Sequence, residues 1–465
     1  MINLGALVPH PPIIVPGIGN NSDLEQVSNT IQSMKEINNL LAQDPPETLV
    51  VFTPHGTIFS DAIVIYGDEI LKGDLSRFGL SKTWEWRNDL ELARKIINLS
   101  QEVNLPVLEF DQNMAKRYRH QGALDHGVLV PLSFFSPEWA EKVKLVIIPL
   151  SYLPLEELYQ FGTMIPKAAA ELGRKVAIIA SGDLSHCLKP GAPAGYDPRG
   201  AEFDQKLMDI LRNSQFSELF RIDPVLLEKA AECGFRSVIM LMGALDKIDV
   251  QVKIHSYQGT FGVGYGVASL KPTGRSSRSM VEEIFKNRDQ SVIDRRKKES
   301  PIVRYARQIV EDYVQGHPFQ EPEGLEEFRN QKAGVFVSIK KHGQLRGCIG
   351  TTEPTQKNIV AETEQNAISA STKDPRFEPI TRDELGDLVY SVDVLKPAEP
   401  IGDLGELDPE RYGVIVTQGY RRGLLLPNLE GVETAEEQVS IAKRKAGIPE
   451  DGKVELERFE VVRYH

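Results

Sequence analysis

The chain has few cysteines and no long apolar run. Its 465 residues include only three cysteines, Cys187, Cys233 and Cys348, which are odd in number and far apart. Such a set offers no disulfide framework and suits a reducing compartment. No apolar stretch reaches the about 18 residues that a membrane-spanning helix needs, and the proline-rich N-terminus does not resemble a signal peptide. We therefore expect a cytoplasmic protein that does not associate with membranes.

The chain also has no excess of basic residues. Its 54 lysines and arginines are outnumbered by 66 aspartates and glutamates, so the formal net charge is -12. Nucleic acid is therefore not expected as the main partner, because its negatively charged phosphate backbone binds best to a basic protein surface. The composition, 41% hydrophobic and 26% charged, is that of a globular protein. The length predicts more than one domain, most simply two.

Residues 1–271 alternate short apolar runs with amphipathic stretches, which predicts an α/β domain. The runs LVVFTP, AIVIYG, KLVIIPLSY and KVAIIASGDLS lead into Pro, Gly, Asp or Ser, as buried strands followed by loops do. Helical spacing of apolar residues is found in DLELARKIINLSQEV and DQKLMDILRNS. The glycine-rich run GTFGVGYGVASL predicts a last strand near an edge or against another backbone.

Residues 272–300 are rich in charge and poor in apolar residues, which predicts a charged linker with one short helix at MVEEIFKN. Residues 301–465 then predict a second, α+β domain. Its expected helices are VRYARQIVEDYVQ, KNIVAETEQNAISAST and TAEEQVSIAKRKAG. Its expected strands are GVFVSIKK, LVYSVDVLK, GVIVTQ and VELERFEVVRY.

Four histidines of the first domain, His10, His55, His126 and His186, lie in or beside loops that follow predicted strands. Such loops gather ligands in open α/β sheets. Each histidine alone is compatible with a structural role, but four together predict a metal or acid–base site, because imidazole binds transition metals and titrates near neutral pH. A non-haem iron(II) centre that activates O₂ needs two imidazoles and one carboxylate on one face.

The motifs around these histidines resemble the LigB-type class III extradiol ring-cleaving dioxygenases and the related Memo proteins. They are an N-terminal His-Pro, then Pro-His-Gly, Asp-His-Gly and Gly-Asp-x-Ser-His, within residues 1–270. The resemblance implies a central mixed sheet with flanking helices and iron(II)-dependent cleavage of a catechol-like ring. It makes His10 and His55 metal ligands, His186 an acid/base and His126 a residue that helps to bind substrate or O₂. Asp183 would orient His186 or cap the following turn.

The third metal ligand is ambiguous, because AAECGFRSVIMLMGAL offers Glu232 and Cys233 side by side. The dioxygenases carry a glutamate in this segment, whereas the Memo-like relatives carry a cysteine before glycine, as in Cys233-Gly234. A carboxylate keeps O₂ chemistry at iron accessible, and a thiolate favours zinc or copper(I). Glu232 is slightly favoured because it completes the iron triad, and Cys233 stays open.

Three segments of the second domain, LRGCIG, DPRF and RRGLLLP, resemble the AMMECR1 family from about residue 300 to the end. The two glycines and the small thiol of LRGCIG predict close backbone approach, and Gly347 would expose the turn. Arg346 is expected to contribute to a binding surface, and it would lower the pKa of Cys348 if that thiol is a nucleophile. The alternative is that Cys348 is packed in the structure.

The fusion of the two domains resembles the AmmeMemoRadiSam proteins of bacteria and archaea, which implies a radical SAM protein as a partner. The chain has no CxxxCxxC cluster motif of its own. The leading hypothesis is a metal-dependent oxidoreductase. The alternative is a non-catalytic or redox metal-binding module that acts with the radical SAM partner in a modification pathway. Hydrolysis at zinc is a weaker third, because no water-activating carboxylate follows either His10 or His55.

Overall fold

The computed structural model describes residues 1–118, 122–135, 137–320, 323–429, 432 and 434–465. The chain divides into two compact units, Met1–Phe285 and Lys286–His465. Each unit has hydrophobic clusters of its own. In the described residues, no helix is both long enough and apolar enough to cross a membrane.

The N-terminal unit is built on a six-stranded mixed sheet, which confirms the expected α/β fold with a central mixed sheet. The strands described in this unit are β1 (Ile2–Val8), β2 (Thr48–Thr53), β3 (Ile63–Tyr66), β4 (Ile70–Leu75), β5 (Leu80–Arg87), β6 (Val107–Phe110), β7 (Lys144–Pro149), β8 (Val176–Ser181), β9 (Ile248–Gln258) and β10 (Tyr265–Arg275). The central sheet has the order β7-β2-β8-β1-β10-β9. Its first four strands are parallel, and β10 pairs antiparallel with both β1 and β9. Outside this sheet, β3 pairs with β6, and β4 forms a hairpin with β5.

Helices cover both faces of the central sheet. The described helices of this part of the chain are α1 (Asn21–Gln26), α2 (Ser28–Gln43), α3 (Leu90–Gln101), α4 (Gln112–Tyr118), α5 (His126–Leu132), α6 (Pro137–Lys142), α7 (Leu155–Gly162), α8 (Met164–Glu171), α9 (Pro198–Arg212), α10 (Pro224–Ala230) and α11 (Phe235–Ala244). Alternate residues of β2 belong to different hydrophobic clusters, Val50 and Phe52 to one and Leu49 and Val51 to the other. Burial on both faces explains why β2, β7 and β8 are nearly continuous apolar runs.

The C-terminal unit contains two four-stranded antiparallel sheets and has the expected α+β class. Its described elements are α13 (Pro301–Gln315), α14 (Glu326–Arg329), β11 (Val335–Lys341), β12 (Gln344–Gly350), α15 (Ile359–Thr372), β13 (Leu388–Leu395), β14 (Glu399–Ile401), β15 (Gly413–Gln418), β16 (Arg421–Leu425), α16 (Ala435–Lys445), β17 (Glu455–Phe459) and β18 (Val461–Tyr464). One sheet has the order β12-β11-β13-β18, and the other has the order β14-β17-β15-β16. The run VELERFEVVRY, expected as one strand, is divided at Glu460 into β17 and β18, which belong to different sheets.

The segment expected as a charged linker, residues 272–300, is more regular than its composition suggests. Strand β10 continues to Arg275, and residues 281–297 form the 17-residue helix α12 (Val281–Lys297) rather than one short helix. Its charges are distributed in favour of a helix, with Glu282 and Glu283 in the first turn and Arg295, Arg296 and Lys297 in the last turn. Acidic groups at the N-terminus and basic groups at the C-terminus both stabilise the helix dipole.

Gly347 allows helix α15 to approach strand β12 directly, as the LRGCIG motif predicts. A Cβ atom at this position would lie closer than 3.0 Å to the carbonyl oxygen of Ala370 in α15. Real Cβ atoms do not tolerate such contacts with backbone atoms, so the helix would have to move.

We expect Gly347→Ala to destabilise the full-length protein by about 1–3 kcal/mol, because the methyl group forces α15 away from the sheet. Gly386→Ala is the matched control. A Cβ at Gly386 would meet no atom within 4 Å, and the backbone φ of this residue is not positive. This control should stay within about 0.5 kcal/mol of the unchanged protein. Urea unfolding measures both variants, and equal stabilities would contradict the packing described here.

Candidate metal centre

Three of the four histidines singled out in the sequence converge at one edge of the central sheet. His10 follows β1, His55 follows β2, and His126 is the first residue of α5. Each offers a ring nitrogen, and these nitrogens lie within 4.8 Å of one another. In the part of the chain that the structure describes, this is the one group of three or more potential ligands that meets so closely.

His10 and His55 form the closest pair of this group. The Nε2 atoms of the two rings are 2.8 Å apart. His126 stacks on His55, with ring centroids 4.1 Å apart and planes at 22°. His10 is buried, with 2% exposure, whereas His55 is exposed and His126 is half-buried. The site therefore opens to solvent on the side of His55.

A hydrogen-bond chain fixes the tautomer of His10. Ser181 Oγ lies 2.5 Å from the carbonyl oxygen of Gly127, to which it donates, and 3.0 Å from His10 Nδ1. Because the single hydroxyl proton is used on the carbonyl, His10 Nδ1–H must donate to Ser181. His10 Nε2 then carries a lone pair towards His55, as a metal ligand requires.

The Asp183 side chain supports His10. Its Oδ1 accepts the backbone N–H of His10 at 2.9 Å. Burial raises the pKa of this carboxyl to about 7, and the hydrogen bond from the His10 backbone opposes the increase. This bond joins the loop after β8 to the loop after β1, so Asp183 positions His10. Its expected roles, orienting His186 or capping the following turn, stay predictions.

His186 is held by the chain segment that precedes the predicted third ligand. Its Nδ1 lies 2.7 Å from the carbonyl oxygen of Ala231, which can only accept, so Nδ1 carries the proton. Nε2 of His186 is left without a proton. Burial lowers the pKa of His186, although hydrogen bonds to the backbone oppose this. His186 is therefore a neutral base near pH 7.

Burial also keeps the three clustered imidazoles neutral. The pKa of His10 is lowered well below its ordinary value by burial and then by the charges of the neighbouring histidines. The pKa of His55 is lowered to about 4 by loss of water from part of its surroundings, although the residue as a whole is exposed, and by the charges of His126 and His186. Burial lowers that of His126 to about 4. A neutral imidazole is the form that binds metal ions.

The structure separates the two candidates for the third ligand. Cys233 Sγ lies 3.6 Å from His10 Nε2. Glu232 instead directs its Oε2 to the backbone N–H of Phe235, the first residue of α11, at 2.6 Å. Among the described residues, neither Glu232 nor Cys233 is a member of the group of three histidines. The Glu232 carboxylate stabilises a helix N-terminus, so its position does not support the favoured ligand role, and Cys233 is the one of the two that contacts His10.

Two glycines bring Cys233 against the loop after β8. A Cβ on Gly182 would lie closer than 3.0 Å to the Cα atom of Gly234. The two backbones are therefore in direct contact. Next to this contact, the backbone N–H of Asp183 donates to Cys233 Sγ at 3.3 Å. The Cys-Gly and Gly-Asp pairs in the sequence are the signal of this packing.

Sequence reasoning missed the supporting residues of the site. Ser181 is the last residue of β8, and Thr53 is the last residue of β2. Thr53 Oγ1 donates to Asp125 Oδ1 at 2.7 Å, which links the strand before His55 to the residue before His126. A hydroxyl side chain at a strand end is too common in sequences to signal this role alone.

The motif residues of the C-terminal unit form a separate polar group. Arg346 makes a two-point ion pair with Glu384, at 3.0 and 2.9 Å, so its guanidinium is already bound. The backbone N–H of Cys348 donates to the Asp374 carboxylate at 2.9 Å. The hydroxyl of Ser338 donates to Cys348 Sγ at 3.2 Å. Burial raises the pKa of Cys348, and the nearby arginine that opposes this is Arg376. The expected lowering of this pKa by Arg346 is not found, and Cys348 is held as a packed thiol.

We expect the Cys348 thiol to react with iodoacetamide at pH 8 more slowly than glutathione in the same solution. The raised pKa leaves less of the reactive thiolate at pH 8. The alkylation rate of Cys348 should therefore keep rising at pH values where glutathione is already fully ionised. Peptide mass spectrometry separates Cys348 from the other cysteines. Alkylation as fast as that of glutathione would show an activated thiol.

We expect Ser181→Ala to weaken metal binding by about 10–100-fold, because the group that fixes the tautomer of His10 is lost. Ser100→Ala is the matched control, since Ser100 is also buried and donates to a carbonyl, that of Ile96 in α3. Titration of the metal-free protein with zinc measures both variants. Unchanged affinity in Ser181→Ala would remove Ser181 from the site.

The fold and the histidine group agree with the comparison to known families. Residues 4–268 match the catalytic LigB subunit of aromatic ring-opening dioxygenase, and residues 303–464 match AMMECR1. The chain therefore belongs to the LigB family and carries an AMMECR1 domain after its LigB domain.

Individual relatives include full-length and single-domain proteins. Protein CA_C1420 of Clostridium acetobutylicum is 40% identical over 462 residues, which are 98% of each chain. A protein of Thermotoga maritima is 54% identical over 170 residues, which are 36% of this chain and 98% of that protein. The solved structure of uncharacterized protein PH0010 from Pyrococcus horikoshii shares 32% identity over 35% of this chain and 88% of that chain, with a TM-score of 0.33. That of uncharacterized protein JW3007 from Escherichia coli K12 shares 15% identity over 58% of this chain and 99% of that chain, with a TM-score of 0.38.

Proposed function

We propose that the N-terminal unit is an iron(II)-dependent oxidoreductase that opens the ring of a catechol-like substrate with O₂. The observation that carries the proposal is the pair of Nε2 atoms of His10 and His55, 2.8 Å apart, with the tautomer of His10 set by Ser181. Membership of the LigB family supports the type of reaction. His10 and His55 would hold the metal, with His126 or Cys233 as a further donor. Glu232, whose carboxylate would complete the iron triad, would have to leave the backbone N–H of Phe235 to join them.

The donor set fits a transition metal, because three neutral imidazoles converge and a thiol lies beside them. Iron(II), when bound, supplies electrons and open coordination positions for O₂ and substrate. His186 would take a proton from a substrate hydroxyl at Nε2 and return it later, as a general base and then a general acid. Its Nδ1–H bond to Ala231 keeps the ring in the tautomer that this role needs.

A second candidate function is a redox or purely binding metal module with Cys233 as a ligand. It is favoured by the 3.6 Å distance between Cys233 Sγ and His10 Nε2, and by the bond of Glu232 to Phe235. A thiolate in place of a carboxylate favours zinc or copper(I). In this function the chain would act with a radical SAM protein in a modification pathway, and the AMMECR1 domain would contribute a binding surface.

Metal analysis of the full-length protein, purified without chelators or added metals, separates the candidates. For the first function we expect near-stoichiometric iron that is lost in His10→Ala and kept in His317→Ala, a histidine of the C-terminal unit. Zinc or copper lost in the same variant would favour the second function. Equal metal content in both variants would place the metal elsewhere.

The same measurement on Cys233→Ala and Glu232→Gln tests the third donor. The geometry leads us to expect reduced metal content in Cys233→Ala and unchanged content in Glu232→Gln. The reverse result would restore Glu232 as the ligand.

Ring opening itself is tested with protein loaded anaerobically with iron(II) and then given O₂ and protocatechuate, dihydroxyphenylalanine or an alkyl catechol. Absence of coloured ring-fission products from the iron-loaded protein would contradict the first function.

A further inference from the structure

An apolar side chain at the tip of the β4–β5 hairpin faces the histidine group. The hairpin turns at Ser76–Phe78, and Gly79 follows with a φ of +91°. Phe78 is 39% exposed, yet the centroid of its ring lies only 5.2 Å from that of His126. The tip therefore places a phenyl ring beside a member of the candidate metal site, where a polar residue would be usual.

The hairpin is fastened to the segment that carries His126. The backbone N–H of Leu124 donates to the carbonyl oxygen of Lys72 in β4 at 2.8 Å. A Cβ on Gly73 would lie closer than 3.0 Å to the carbonyl oxygen of Leu124, so the two backbones touch. Leu124 is two residues before His126, so these contacts fix strand β4 of the hairpin to the segment that carries His126.

The strands of the hairpin are anchored in the core, and its tip is not. Leu71, Leu75, Trp84 and Trp86 are buried, with exposures of 8% or less. Trp86 also donates its indole N–H to the carbonyl oxygen of Val143 at 2.7 Å. These residues account for the stability of the hairpin without Phe78, so core packing does not explain an apolar residue at the tip.

Four rings form a continuous series from the hairpin to the metal-binding nitrogens. Phe78 lies against His126, His126 stacks on His55, and His55 meets His10. A flat aromatic molecule with a group bound at the His10–His55 pair would find an apolar ring on this side. Aromatic rings attract one another edge to face or offset, in addition to the gain from the apolar area that they bury.

We infer that Phe78 is a specificity-determining residue of the histidine site, which packs against the ring of an aromatic substrate and directs its hydroxyl groups towards His10 and His55. The inference rests on the proposed function, because it takes the substrate to be a catechol-like ring bound at the metal. Phe78 would be the residue that distinguishes an aromatic ligand of the metal from a ligand that has no ring.

The test compares two probes on full-length protein loaded anaerobically with iron(II). One probe is 4-nitrocatechol, whose visible absorption reports binding. The other is nitric oxide, which binds iron(II) without a ring to pack against Phe78. We expect Phe78→Ala to weaken 4-nitrocatechol binding by about tenfold, the scale of one lost aromatic contact. Nitric oxide binding and iron content should not change.

Two further variants make the result decisive. Phe78→Leu keeps an apolar side chain and should lose less affinity for 4-nitrocatechol than Phe78→Ala, and it serves if the alanine variant does not fold. Tyr420→Ala is the control for loss of an exposed aromatic residue, since Tyr420 is 91% exposed in the C-terminal unit, and it should bind both probes normally. Unchanged 4-nitrocatechol affinity in both Phe78 variants would overturn the inference while leaving the proposed function intact. Failure of the unchanged protein to bind 4-nitrocatechol would overturn both.

Discussion

The hydroxyl group of Ser181 is the point on which the histidine site depends. It joins the end of β8 to the start of α5 through Gly127, and it accepts from the ring of His10 after β1. Since a serine has one proton to donate, satisfying the Gly127 carbonyl leaves a single possible tautomer for His10. The lone pair of His10 Nε2 towards His55 is thus a consequence of how three chain segments are joined. Asp183 and the contact of Gly182 with Gly234 support the same junction from the other side.

The sequence predicts the central strands of the N-terminal unit because their side chains are almost completely buried. Strands β2, β7 and β8 are covered on both faces and can be recognised as apolar runs, and the parallel pairing places the loops with His10 and His55 at one edge. Other elements were not predicted. Strand β9, IDVQVKIHSYQ, has one face towards solvent and a weaker alternating pattern. The β4–β5 hairpin depends on the close contact of Gly73 with Leu124, which no local pattern reveals.

The choice between Glu232 and Cys233 shows a limit of sequence reasoning in physical terms. The two residues are adjacent, so composition and spacing treat them alike. The difference arises because α11 begins at Phe235, which draws the Glu232 carboxylate to an unsatisfied backbone N–H at the helix N-terminus. Cys233 is left beside His10.

The motifs of the C-terminal unit mark places where a helix packs closely on a strand. Gly423 of RRGLLLP leaves room for the carbonyl oxygen of Ala442 in α16. Gly347 leaves room for that of Ala370 in α15 in the same way.

The division of the last strand run at Glu460 couples the two sheets of the C-terminal unit. Strand β17 pairs with β14 and β15 in one sheet, and β18 pairs with β13 in the other. Glu460 alone separates the two strands. It accepts the backbone N–H of Lys396 through its carbonyl and the side chains of Lys396 and Arg411 through its carboxylate. Because one residue joins the two strands, loss of either strand from its sheet would displace the other strand, and we expect the two sheets to open as one cooperative unit of local unfolding.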